Sequence, residues 1–196
     1  VDTAKHRESL TKAYETATFL DAPVGFVTDR MMLEGALATT KLLILPHVST
    51  IEPEQRHLVA QFVAAGGHVV ATGPVMTSDP YGKAYPDPVA GPNVRLSAAL
   101  TRSSLEDALA QAGVTRLARG LSPDGGISDV AVEVRGARLG ERRIMYVAGL
   151  AKQETSIGLQ WDGSPIRRWH DLLSGEEGRG PTLVVEPLSI RLLEVE

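Results

Sequence analysis

The chain has 196 residues, of which 43% are hydrophobic, with a formal net charge of −4 and no cysteine. That length is enough to bury one sizeable core or two small ones. No apolar run approaches the roughly 18 residues that a membrane span needs. The 24 acidic and 20 basic residues form no basic stripe of the kind that nucleic acid requires. The composition therefore predicts a globular protein that binds neither membrane nor nucleic acid.

Helices and strands are predicted to alternate in the first part of the chain. Residues 2–20 carry apolar side chains at the 3.6-residue spacing of an amphipathic helix. The β-branched run 23–28 predicts a strand, 31–37 predict a short helix, and the continuously apolar run 41–46 predicts a strand covered on both faces, as in a parallel sheet. Because such sheets usually begin with a strand, we expect a first strand to be missing or to precede Val1, and the chain to be part of a longer protein.

A second helix and strand follow in the same order. Pro53 in a first turn opens a predicted helix that ends at Gly66 and Gly67. Residues 68–73 then predict another buried strand, and the alternation predicts an open parallel sheet with helices on both faces. Residues 74–96 are rich in proline and glycine and predict a long surface loop.

The hydrophobic period changes in the last third of the chain. Before the change, Ser103 and Glu106 match a capping box and predict a helix over residues 103–113. Short alternating apolar runs, separated by glycine, proline or aspartate, then predict a small antiparallel β-sandwich. We therefore expect an α/β domain over residues 1–124 and a β-sandwich domain over residues 125–196.

Several of these stretches resemble one family of multidomain enzymes. KLLILPHVSTIEPEQRHLVAQFVAAGGHVVATG (41–73) is similar to the flavodoxin-like, class I glutamine-amidotransferase-like domain that accompanies the catalytic barrel of β-galactosidase-like glycoside hydrolases. DAPVGFVT (21–28) resembles an upstream strand of that domain. RIMYVAGLAKQETSIGL (143–159) and WHDLLSGEEG (169–178) resemble the terminal β-domain of the same proteins.

The resemblance implies a non-catalytic accessory or oligomerisation region of a glycoside hydrolase that acts in carbohydrate metabolism. Its partner would be an upstream catalytic (β/α)8 barrel of the same protein, and the family's trimerisation domain implies a homo-oligomer. The barrel and its two carboxylates are absent from this chain, and the asparagine of the family's terminal strand is replaced around Ala148 and Gly149. We therefore do not expect the chain alone to be catalytic. The lack of cysteine fits a reducing cytoplasm without excluding export, and we expect a bacterial-type cytoplasmic location.

The end of the strand predicted over residues 68–73 offers no nucleophile. An amidotransferase places its nucleophile on the turn after such a strand, where this chain has Gly73 and Pro74. His47, His57 and His68 lack the spacing of a metal site. We therefore predict no catalytic residue, no cofactor and no metal in this chain.

Five residues are candidates for contact with a sugar or another subunit. Ligands of open parallel sheets lie beyond the carboxyl ends of the strands, where the sequence places Asp29, His47 and Asp79. Tyr81 and Tyr85 follow in the same loop and could stack on a saccharide, although tyrosines in such loops also pack beneath them. These residues support an alternative function, a free-standing carbohydrate or small-molecule binding module.

Overall fold

The computed structural model describes residues 3–196 as a mixed α/β protein with two compact units. The α/β unit comprises the described residues up to Thr16 together with Val24–Val114. The β unit comprises Ala17–Pro23 and Thr115–Glu196. The predicted domain boundary between residues 124 and 125 stays a prediction, and the predicted helix start at Asp2 lies outside the described residues.

The α/β unit is built on a small parallel sheet. Its strands lie in the order β1 (Leu42–Pro46), β2 (His68–Thr72) and β3 (Val94–Ser97). Leu42 pairs with His68, and Val69 pairs with Val94. This confirms the parallel sheet that the buried apolar runs predicted. The elements over this part of the chain, besides a 3-10 turn at Ala36–Thr39, are α1 (Thr3–Thr18), α2 (Asp29–Leu33), β1 (Leu42–Pro46), α3 (Pro53–Ala64), β2 (His68–Thr72), β3 (Val94–Ser97) and α4 (Arg102–Gln111).

The strand predicted over residues 23–28 is wrong, because residues 22–28 have no regular secondary structure. Val24 and Phe26 are 37% and 57% exposed, so this run lacks the cover that a buried parallel strand requires. Strand β3 was missed inside the predicted loop. Its four residues show no continuous apolar run, and they form a strand only because β2 supplies hydrogen-bond partners.

The start of α4 differs by two residues from the predicted capping box. Thr101 is the N-cap, and its hydroxyl accepts a hydrogen bond from Ser104 N at 3.1 Å. The Ser104 hydroxyl in turn accepts one from Thr101 N at 3.0 Å. The box predicted from Ser103 and Glu106 is wrong, because the helix already begins at Arg102 and Ser103 therefore lies in its first turn.

The glycines after α3 have the structural role that the sequence predicts. Gly66 follows the helix in the left-handed region, at φ +94°. A Cβ at Gly67 would lie 2.3 Å from the ring of Phe62, which is buried in the core of the α/β unit. Only glycine at position 67 therefore lets the chain turn back against Phe62 and enter β2.

The β unit contains two antiparallel sheets. Their strands are β4 (Ala118–Leu121), β5 (Val132–Leu139), β6 (Arg142–Gly149), β7 (Thr155–Trp161), β8 (Ser164–Pro165), β9 (Arg168–Asp171), β10 (Glu177–Arg179), β11 (Thr182–Val185) and β12 (Ile190–Val195). One sheet has the order β10-β9-β12-β6-β5, and the other has the order β11-β7-β4 with β8 also paired to β7. The alternating runs predicted most of these strands, whereas β4 lies before the predicted start of the β region.

Both sheets of the β unit contribute to one hydrophobic core. Its fully buried members include Val134, Met145 and Ile157. Trp161 and Trp169 belong to the same core, and a Cβ at Gly178 would lie 2.2 Å from the Trp169 ring. The two indoles are therefore packing residues.

Candidate functional site

The carboxyl ends of β1 and β2 lie side by side. Pro46 pairs with Thr72, so the residues that follow them, His47 and Gly73, leave the sheet at the same edge. His47 N donates a hydrogen bond to Thr72 O at 2.9 Å. A Cβ at Gly73 would lie 2.2 Å from His47 Nδ1, and Gly73 has φ +69°. Gly73 therefore provides space for the imidazole, at the position where an amidotransferase would carry its nucleophile.

A second histidine, His6 on α1, approaches the same strand end. Its Nδ1 donates a hydrogen bond to Pro46 O at 2.9 Å. His6 and His47 therefore both contact the end of β1. No sequence spacing predicts this arrangement, because α1 and β1 are 40 residues apart at the contact.

Two non-glycine residues in this region have left-handed backbone conformations. His47 has φ +52° and Met76 has φ +47°, a region that L residues other than asparagine, aspartate and histidine rarely occupy. Met76 is only 1% exposed, and its N donates to Val48 O at 2.6 Å. The methionine side chain lies in the hydrophobic core of the α/β unit, which holds the strained backbone conformation in place.

Asp79 organises its own turn. Its Oδ1 accepts hydrogen bonds from Tyr81 N at 2.9 Å and from Lys83 N at 2.8 Å. Asp79 N also donates to Lys83 O at 2.9 Å. The structure therefore brings Asp79 and Tyr81 together, with the carboxylate engaged by the backbone of the loop. Whether Asp79 contacts a sugar stays a prediction.

The two candidate tyrosines occupy different environments. Tyr81 is 92% exposed at the tip of the turn. Tyr85 packs against the core, its hydroxyl donates to Ile51 O at 2.8 Å, and the Arg56 guanidinium lies 4.4 Å from its ring centroid. Desolvation and the nearby Asp79 carboxylate raise the pKa of Tyr85, so the phenol keeps its proton. Of the two side chains, only Tyr81 is free for contact with a partner.

Asp29 does not follow a strand, because residues 22–28 are irregular. It is an exposed residue in the first turn of α2, where a carboxylate interacts favourably with the helix dipole. Thr28 caps this helix by accepting a hydrogen bond from Met31 N at 3.3 Å. Asp29 therefore follows no strand, and its contact with a sugar or a subunit stays a prediction.

A shallow cleft of about 500 Å³ lies between α3 and the loop 87–93. Its lining is mostly apolar, and none of the five candidate contact residues belongs to it. The Arg56 side chain borders the cleft, and its Nη2 donates to Asp87 O. The same guanidinium also contacts the ring of Tyr85. Arg56 therefore connects α3 to the loop 87–93.

Two other kinds of site concern the ionisable side chains and the helices of residues 3–196. No group of three histidine, aspartate or glutamate side chains in this range could hold a metal ion. No helix in the same range is long and apolar enough to cross a membrane.

Comparison with known proteins gives a structural likeness without a sequence match. No family model matches the chain, and no curated protein matches it. The structure is similar to an apo exo-carrageenase GH42 from Bacteroides ovatus, with a TM-score of 0.75 at 15% identity, over 97% of this chain and 27% of that one. The β-galactosidase from Bacillus circulans sp. alkalophilus has a TM-score of 0.67 at 14% identity, over 100% of this chain and 38% of that one.

A third structure is a catalytic mutant of Gan42B, a GH42 β-galactosidase from G. stearothermophilus. It has a TM-score of 0.68 at 14% identity, over 99% of this chain and 37% of that one. This likeness establishes the fold. The chain spans between about a quarter and two fifths of the length of these proteins, and the fold it shares with them includes both of its units.

Proposed function

We propose that this chain is an accessory, non-catalytic region of a glycoside hydrolase related to the GH42 β-galactosidases. The observation that carries the proposal is the asymmetry of the structural matches. Each of the three neighbours covers at least 97% of this chain, whereas this chain covers at most 38% of any of them. Such asymmetry is expected when one chain corresponds to a part of a longer enzyme.

The polar groups of the α/β unit support the non-catalytic part of the proposal. His47 contacts Gly73, Asp79 accepts hydrogen bonds from its own turn, and Tyr85 is bonded to Ile51 O. A catalytic nucleophile needs a general base within hydrogen-bond reach. The contacts of these three residues are those of loop and strand-end packing.

The proposed fold of the α/β unit is that of a flavodoxin-like, amidotransferase-like domain, and that of the β unit is a β-sandwich. The parallel order β1-β2-β3 supports the first assignment. The common core of the two antiparallel sheets supports the second. Since the strand expected over residues 23–28 is irregular, the sheet of this unit would be a reduced version of the full doubly wound arrangement.

The proposed partners are an upstream (β/α)8 barrel of the same protein and further copies of the chain, in a bacterial-type cytoplasm. Exposed apolar side chains of the α/β unit support a contact role. The rings of Tyr14 and Phe26 stack with centroids 5.3 Å apart and are 44% and 57% exposed. Met31 and Leu33, 41% and 48% exposed, add to the apolar surface of this unit.

The alternative function, a free-standing carbohydrate or small-molecule binding module, has less support. The structural neighbours are enzymes that contain this fold as a part, and three of the five candidate contact residues have local structural roles. Tyr81 stays the candidate for sugar or subunit contact, because its side chain is exposed on a turn that Asp79 organises.

The size of the natural gene product tests the proposal. An antibody raised against this chain should detect, in the source cells, a protein far larger than 20.9 kDa. The purified chain should not hydrolyse a chromogenic galactoside, whereas the large protein should hydrolyse a glycoside. A natural product of about 20.9 kDa, or turnover by the chain itself, would contradict the accessory role.

A further inference from the structure

The β unit contains a short segment from far away in the sequence. Residues 17–23, here called the latch segment, comprise the last two residues of α1 and the residues after it, and they belong to the β unit. Within it, Leu20, Asp21 and Ala22 are 3%, 5% and 3% exposed. A buried aspartate is unusual among otherwise apolar neighbours, since an ionised carboxylate is seldom buried without partners.

The Asp21 carboxylate joins the two sheets of the β unit. Its Oδ2 accepts a hydrogen bond from Gly120 N on β4, and its Oδ1 accepts one from Val134 N on β5, both at 2.7 Å. Strand β4 is at the end of one sheet and β5 is at the end of the other. One side chain therefore pairs with backbone donors on two edge strands, where unpaired donors would otherwise be buried or open to another chain.

Three further features fit the latch segment to this position. Asp21 has φ +59°, a left-handed conformation that aspartate tolerates better than most residues. Arg116 Nη1 donates to Leu20 O at 2.9 Å. A Cβ at Gly120 would lie 2.9 Å from Val134 Cγ2, so glycine allows the close approach of β4 and β5 beneath the carboxylate.

We propose that Asp21 is a proton-sensitive latch, whose ionisation sets how firmly residues 17–23 are held against the edges of β4 and β5. The geometry puts the titrating group where the segment pairs with both sheets. A change in its charge therefore acts on both edges at once.

The charges around Asp21 fix the direction of the effect. Burial raises the pKa of Asp21 to about 7, although the hydrogen bonds from Gly120 and Val134 and the charges of Arg135 and Arg119 oppose the rise. Arg119 lies on β4, and Arg135 lies on β5, where it pairs with Glu133 at 3.0 Å. Arg116, which lies just before β4 in the sequence, donates a hydrogen bond to the carbonyl oxygen of Leu20.

Because the pKa of Asp21 is higher in the held segment than in the released one, there is a pH range in which the Asp21 carboxyl is protonated when held and ionised when released. Between the ordinary aspartate pKa of 3.8 and the folded value of about 7, the held state therefore weakens as the pH rises. The equilibrium constant for release should increase by up to about tenfold per pH unit in this window and level off above it. The latch is firmest in acid and loosest above neutral pH.

Hydrogen exchange on the full chain tests this behaviour. The amides of Gly120 and Val134 bond to Asp21, whereas Leu159 N, in the same unit, donates to the carbonyl of Pro181 at 2.7 Å. From about pH 5 to about pH 7.5, the protection factors of Gly120 and Val134 should fall at least about tenfold, while that of Leu159 stays constant. Unchanged protection at Gly120 and Val134, or an equal fall at all three amides, would overturn the latch.

Two variants and a direct titration separate the latch from a purely structural bond. Asp21→Asn is neutral and keeps one acceptor, so its Gly120 and Val134 amides should be less protected but independent of pH in this range. Asp171→Asn, which changes another buried aspartate of the unit, should keep the pH dependence of the natural chain. A pH dependence that persists in Asp21→Asn would disprove the proposal.

The direct titration uses the natural chain, so its result does not depend on whether a variant folds. The carboxyl carbon of Asp21 in the natural chain, followed by NMR, should titrate with a midpoint near neutral pH. A midpoint at or below the ordinary aspartate value would also disprove the proposal.

Discussion

Among the described residues, the β unit buries aspartates and the α/β unit does not. In the α/β unit, Asp29 and Asp79 are at the surface, on a helix start and in a turn. In the β unit, Asp21 and Asp171 are 5% and 1% exposed and hold strands and turns together. The two buried carboxyl groups with shifted pKa values therefore lie in the β unit, whereas the five candidate contact residues lie in the α/β unit. Shifted carboxyl pKa values often occur at active sites. Here the two shifted carboxyl groups instead form hydrogen bonds that hold segments of the chain together.

The largest effect is expected from Asp171→Ala. The Asp171 carboxylate accepts hydrogen bonds from Leu173 N at 3.0 Å and Ser174 Oγ at 2.9 Å, and it pairs with Arg191 at 3.3 Å. Removing one member of a buried charged network costs about 3 kcal/mol. Denaturation followed by fluorescence should report the loss in the β unit, because Trp161 and Trp169 both lie there. A loss under about 1 kcal/mol would show that this network is dispensable.

The same residue predicts an opposite pH response to that of Asp21. Burial acts to raise the pKa of Asp171, yet the hydrogen bonds from Leu173 N and Ser174 outweigh it and lower the pKa. A lowered pKa contributes stability that is present above the ordinary value of 3.8 and is lost as the pH falls through the folded value. The difference in unfolding free energy between the natural chain and Asp171→Asn should therefore shrink in acid. A difference that is constant down to about pH 2 would contradict this assignment.

An intermediate effect is expected from Gly178→Ala. The new Cβ would lie 2.2 Å from the Trp169 ring, and forcing the buried indole aside should cost about 2 kcal/mol. Gly158→Ala is the matched control, because its Cβ would meet only Ser122 O at 3.4 Å and Leu121 O at 3.9 Å. Chemical denaturation of both variants measures the contrast. Equal stabilities would mean that Trp169 moves freely and that the core tolerates a second packing.

In the α/β unit, Thr101→Ala should cost about 1 kcal/mol by removing the N-cap of α4. Ser103→Ala is its control, since Ser103 lies inside the first turn and was only the cap predicted from the sequence. Helical circular dichroism during denaturation follows this unit, which contains α2, α3 and α4. A larger effect at Ser103 than at Thr101 would restore the capping box predicted from the sequence.

The smallest effect on stability is expected from Tyr81→Ala, within about 0.5 kcal/mol, because the side chain is 92% exposed. If Tyr81 contacts a sugar or a subunit in the complete enzyme, the substitution there should weaken substrate binding or assembly without lowering the denaturation midpoint of this chain. A clear loss of stability in the isolated chain would assign Tyr81 to the local structure of its turn.

Sequence patterns alone were sufficient for the elements whose cause is local. The apolar runs of β1 and β2 and the proline at the start of α3 predict these elements correctly, because strand burial and helix initiation depend on neighbouring residues. The alternating runs of β5, β6 and β7 do the same for the β unit. The resemblance to glycoside hydrolases, stated from packing motifs, agrees with the fold of the GH42 neighbours.

Tertiary structure decided what depends on distant partners. The run 23–28 has the composition of a strand but is irregular in the structure, whereas β3 has a weak pattern and pairs with β2. His6 reaches Pro46 across 40 residues, and Asp21 reaches Gly120 and Val134 across 99 and 113 residues. Sequence spacing carries no information on such contacts, because the energy of a buried hydrogen bond depends on which groups the completed fold brings together.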